Sequence, residues 1–87
     1  MRRRPTDVYM HIIRDGLATA FPGAAVWVGG GWNLWGSPVV MYEVAWADDD
    51  KLAGRIELEA GQEYDAHHAA NRVSQIVSDY RKASHEH

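Results

Sequence analysis

Two runs of alternating residues, joined by three aspartates, constrain this chain more than any other feature in it. In residues 39–47, Val40, Tyr42, Val44 and Trp46 alternate with Val39, Met41, Glu43 and Ala45. In residues 51–60, Leu52, Gly54, Ile56 and Leu58 alternate with Ala53, Arg55, Glu57 and Glu59. A period of two puts successive side chains on opposite faces of a strand, so each run reads as a strand with one apolar face. Asp48-Asp49-Asp50 then reads as the turn of a hairpin. Closing that hairpin with Ala47 opposite Lys51 sets Tyr42 across from Ile56 and Trp46 across from Leu52. On the other face it sets Glu43 across from Arg55, a pair of opposite charge. A slip by one residue would exchange the faces and lose both sets.

The flanking segments complete the fold. Residues 24–32 begin as a third strand, rich in β-branched and aromatic side chains, and the Gly29-Gly30-Gly31 run permits a bulge or bend. Residues 33–38 hold several turn formers and read as a loop. Upstream, Thr6 is a fitting N-cap, with Asp7 where the helix dipole favours negative charge. Val8, Ile12, Leu17, Ala20 and Phe21 follow at broadly helical spacing until Pro22-Gly23, predicting a helix over about 6–20. Downstream, Asp65 is a plausible N-cap for a helix to about 83, with Ala66, Ala69, Ala70, Val73, Ile76, Val77 and Tyr80 as its apolar stripe.

The expectation is an α+β domain of order α-β-β-β-α, a three-stranded antiparallel sheet with both helices packed on one face. The other face, with Met41, Glu43, Arg55, Glu57 and Glu59 and with Val39, Ala45 and Ala53 among them, is left for solvent or a partner. Residues 1–5 read as a flexible basic tail, 6–83 as a single domain and 84–87 as a frayed end.

Eighty-seven residues suffice for one modest core. With no cysteine, neither disulfides nor thiolate chemistry is available, which suits a reducing cytoplasm. No stretch approaches a membrane span of roughly 18 apolar residues, and Asp7, His11, Arg14 and Asp15 interrupt what an export signal would need after Arg2-Arg3-Arg4. Three of the nine basic side chains fall in residues 2–4, so the remainder carries six against all twelve acidic ones. An acidic body of this kind disfavours general binding to phosphate backbones. The excess of arginine over lysine fits GC-rich coding DNA, of a cell or a phage.

The α-β-β-β-α order resembles that of the double-stranded-RNA-binding domain over nearly the whole chain, in topology alone. The resemblance implies a lysine cluster at the start of the final helix and a strand-connecting loop in a minor groove. Here the helix start reads Glu63-Tyr64-Asp65-Ala66-His67-His68, and the connection between the second and third strands is Asp48-Asp49-Asp50. Both departures would repel RNA. Shared topology does not carry shared function.

Among candidate sites, the segment from Gly29 to Gly36 is the most unusual, with Trp32, Asn33 and Trp35 in a glycine-rich connection. Two readings are open. The tryptophans form an exposed patch for a partner or a stacked base, or they fold back and cap the edge of a small core. The glycine run lacks the G-x-x-x-x-G-K-[ST] pattern of a phosphate cradle. Three neighbouring aspartates on a tight turn cannot all face one cation. His67 and His68 point about 100° apart on a helix and cannot chelate together. Ser37, Ser74, Ser78 and Ser84 lack a nucleophile's setting, and Arg55 would keep Glu43, Glu57 and Glu59 ionised rather than poised.

These exclusions predict a small non-catalytic interaction or accessory protein without cofactor or metal. It would bind another protein, or itself as a homodimer, through the open sheet face and the Trp32/Trp35 loop. One alternative is an atypical nucleic-acid-binding domain using indole stacking and the tail Arg2, Arg3 and Arg4. The other is a small metal-dependent enzyme.

Overall fold

A computed structural model describes residues 5–85. Helix α1 spans Pro5–Ala20, strand β1 Ala25–Trp32, β2 Pro38–Ala45, β3 Lys51–Glu57 and helix α2 Ala66–His85, with a short 3-10 turn at Gln62–Tyr64 before α2. The sheet is antiparallel in the order β1-β2-β3, so β1 and β3 are its edges. The expected α-β-β-β-α architecture is present, with the helices on one face. Pro5 belongs to α1 rather than to a tail, as suits a residue whose missing N–H would be unpaired in a first turn anyway. The α2 helix includes Ser84 and His85. Arg2, Arg3 and Arg4 lie outside the described residues, as do Glu86 and His87.

The hairpin forms, but its register differs by two from the expected one. Tyr42 faces Gly54, Val44 faces Leu52, Glu43 faces Ala53, and Arg55 faces Met41. The cause is the turn. Trp46 N–H donates to Asp50 O at 2.9 Å and Asp49 N–H to Trp46 O at 3.2 Å. Asp49 takes a left-handed φ of 70°, a conformation that Asp tolerates better than most residues. The three-residue loop is therefore Ala47-Asp48-Asp49, a turn followed by a left-handed residue, and not Asp48-Asp49-Asp50. A shift of two keeps every side chain on its own face, so the layering survives while the cross-strand pairs do not.

The core closes over the covered face. Tyr9, Ile13 and Leu17 form the buried stripe of α1, four residues apart, and Phe21 continues it just past the helix end. Val8, expected in that stripe, is exposed, because the interior side of the helix lies one position further along. Val40, Val44, Ile56 and Leu58 meet them from the sheet, and Ala69, Ile76 and Val77 from α2. At one end Trp46 stacks on Tyr80, with ring centroids 5.3 Å apart and 14° between planes, while Phe21 meets both rings edge-on. Asp65 caps α2 as expected, its Oδ1 accepting the His68 N–H at 3.0 Å. The two helices approach closely where Gly16 faces Val73.

The interior polar contact is one that helical periodicity does not reveal. The Tyr9 hydroxyl and His68 Nδ1 share a hydrogen bond of 2.8 Å that joins α1 to α2. Burial pushes the Tyr9 hydroxyl up to about 12, against the opposing effect of the Arg72 charge, with Asp65 adding to the rise. Burial also raises Tyr42. A tyrosine near 10 when unfolded and near 12 when folded contributes stability that is fully present below pH 10 and lost as pH climbs through 12. We therefore expect urea stability to fall by about 1–2 kcal/mol on this account between pH 10 and pH 12, solvent screening reducing the full linkage value. Tyr9→Phe should flatten the curve over that window. Equal slopes for the two proteins would contradict this linkage.

Candidate interaction surface

Among the described residues, five of the seven large exposed apolar side chains stand on β1, on β2 or in the loop between them, Val8 and Tyr64 lying elsewhere. That loop repeats the construction of the other hairpin. Asn33 N–H donates to Ser37 O at 3.0 Å, Gly36 N–H donates to Asn33 O at 3.1 Å, and Gly36 carries the left-handed φ of 79°. The Asn33 side chain tightens it, with Oδ1 accepting the N–H groups of Trp35 and Ser37 at 2.9 Å each. Asn33 is thus a structural member of the site. It holds the turn that presents Leu34 and Trp35.

The reading in which the tryptophans fold back on the core is overturned. Trp32 is 73 % exposed, Leu34 97 % and Trp35 83 %. The turn carries Leu34 and Trp35 beyond the end of the sheet, and Trp32, last in β1, stays largely in solvent although its phase is that of Val28 and Gly30 on the helix-facing side. Trp46, by contrast, is the tryptophan that packs.

Across the open face the ladder sets side chains in rows. Trp27, Glu43 and Ala53 form one, Gly29, Met41 and Arg55 the next, and Gly31, Val39 and Glu57 the third. Apart from Glu43 the β1–β2 half is apolar, while β3 brings Arg55 and Glu57 beside Ala53. Trp27, which the sequence reading did not single out, is 55 % exposed, and its indole lies over Gly29 so closely that a Cβ there would collide with it. The Met41 methyl leans towards Gly31, 3.4 Å from where a Cβ would stand. Val39, expected to be open among the charges, is only 4 % exposed beside that row.

The expected charge cluster is assembled only in part. Arg55 pairs with Glu57 on its own strand at 3.4 Å and not with Glu43 across the hairpin. Glu59 is exposed but lies beyond the end of β3, its N–H donating to Gln62 Oε1 at 2.9 Å. Among the described residues no three His, Asp or Glu side chains come together to hold a metal. Asp48 Oδ1 instead accepts the Asp50 N–H at 3.3 Å, within its own turn. His68 is engaged by Tyr9, and His11 contacts Asp15 at 3.1 Å. A cleft of about 360 Å³ between α2 and the β2–β3 side has walls of Tyr42, Leu52, Ile76 and Tyr80, with Arg72 and Asp79 bringing opposite charges. It holds no nucleophile beside a base.

No described helix is long and apolar enough to cross a membrane. Comparison with protein families, with curated proteins and with solved structures finds no match.

Proposed function

We propose that this chain is a non-catalytic interaction module that grips a protein partner with the Trp32-Leu34-Trp35 tip and the Trp27–Met41 half of the open sheet face. One observation carries the reading: three of the four indoles stand largely in solvent, Trp27 on the open sheet face and Trp32 and Trp35 on or beside a turn built from its own hydrogen bonds. Holding large apolar groups in water on a rigid support gives up burial in the free state and returns it on binding. The neighbouring Glu43, Arg55 and Glu57 supply a polar rim around that apolar area. A partner with an apolar pocket for Trp35, bordered by basic side chains, fits such a surface. We place the interaction in the cytoplasm, where a fold resting on packing alone needs no disulfide.

The test is cross-linked affinity capture from the native cell with wild type, Trp35→Ala and Trp32→Ala/Trp35→Ala. The partner so identified should bind the purified Trp35→Ala chain about 30-fold more weakly, as an interface anchor of about 2 kcal/mol implies. Equal recovery of the same proteins by all three would refute the tip's role. Recovery of nucleic acid alone, released by moderate salt, would refute the protein partner.

A further inference from the structure

The β1 edge has its own chemistry. In the β1–β2 hairpin, Asn33 and Ser37 are a hydrogen-bonded pair, and bonded pairs alternate along an antiparallel ladder. Gly31, Gly29, Trp27 and Ala25 therefore bond to β2. Val26, Val28, Gly30 and Trp32 turn their N–H and C=O groups outward, and among the described residues no hydrogen bond reaches these groups. The strand Ala25–Trp32 carries no charge and no proline, the usual protections of a free edge. The opposite edge, β3, carries Lys51, Arg55 and Glu57. One edge is guarded and the other is open.

We infer that the β1 edge is a strand-addition site for an extended, uncharged segment of a partner protein. This rests on the protein-partner reading above and specifies how the partner's backbone is held. Two considerations select this occupant over a second copy of the chain. Helix α1 packs over β1, with Met10 Sδ 3.2 Å from where a Gly30 Cβ would stand. Antiparallel pairing of β1 with itself would put two such helices on the same face over strands about 4.8 Å apart, whereas packed helices need about 8–10 Å. A single strand without a helix layer meets no such obstacle. The second consideration is chemical. On the open side the added strand would run beside the Trp27 indole, which lies over Gly29, and the Met41 methyl at Gly31, apolar groups that favour apolar or aromatic neighbours and offer no counter-charge.

Heptapeptides selected from a random display library against the full chain provide the probe, and amide NMR maps where they bind. The expected result is uncharged, β-branched and aromatic peptides that shift and protect the Val26, Val28, Gly30 and Trp32 amides. Gly30→Pro deletes one outward donor without touching the β1–β2 ladder and should weaken them at least tenfold. Trp27→Lys, at an exposed position, should weaken them similarly should Gly30→Pro disturb the strand. Trp35→Ala should leave them unchanged, so this inference and the role of the tip fail separately. Peptides that protect β3 amides, absence of any binder, or protection of the β1 amides by self-association at rising protein concentration would each overturn the assignment.

Discussion

Replacing Trp46 by alanine is expected to cost about 3 kcal/mol, whereas the same change at Trp27, Trp32 or Trp35 should stay within about 0.5 kcal/mol. Trp46 is a half-buried indole stacked on Tyr80 and met edge-on by Phe21, so its loss opens a gap shared by α1, β2 and α2. The other three have most of their surface in water in the folded state and little packing to lose. For a domain of this size about 3 kcal/mol is a large part of the total. Urea denaturation of the four single variants measures the contrast directly. Fluorescence measures it independently, because most of the emission should be accessible to a soluble quencher and Trp46→Phe should remove the protected fraction. A protected fraction that survives Trp46→Phe would place another indole inside.

Why one of four tryptophans packs was only partly legible in the sequence. Trp46 falls at the apolar phase of a period-two run, and the layering predicted from that run puts it on the covered face, where it is found. Trp32 and Trp35 belong to a segment without periodicity. Their exposure follows from Asn33 and Gly36 closing a short turn, and from which backbone groups Asn33 engages, which composition does not specify. Trp27 was legible in principle. It shares its phase with Gly29 and Gly31, and a bulky residue followed by two bare positions on the same face marks a surface without packing partners. The hairpin shows the same boundary between what is encoded and what is not. Its faces follow from alternation, but its register depends on Asp49 rather than Asp50 ending the loop, a choice of backbone conformation between neighbouring identical side chains. Val8 was assigned to the core of α1 on spacing that tolerated a 100° error. Ile13 and Tyr9 win because they, together with Leu17 and Phe21, keep a strict four-residue interval along the sheet.

By intrinsic propensity alone Gly16 weakens α1, since glycine inside a helix costs up to about 1 kcal/mol relative to alanine. The structure reverses its meaning. A Cβ at position 16 would lie 2.7 Å and 2.9 Å from the two Val73 methyl carbons and 3.2 Å from Val73 Cβ. Valine cannot swing its methyls away from all three contacts, since one of the three is its own Cβ, so the helices themselves must separate. Gly16→Ala should therefore gain nothing overall, as the strain of overpacking, about 1–3 kcal/mol, meets or exceeds the propensity gain. Gly16→Leu should cost about 3 kcal/mol, because added methylenes push α2 off α1 and with it the Tyr9–His68 bond. The decisive measurement is the double variant. Gly16→Leu/Val73→Ala should recover about 1–2 kcal/mol of the sum of the single losses in urea denaturation, the coupling expected of residues in direct contact. Strict additivity would mean that the strain lies elsewhere, and that the crossing of α1 over α2 is not set by this glycine.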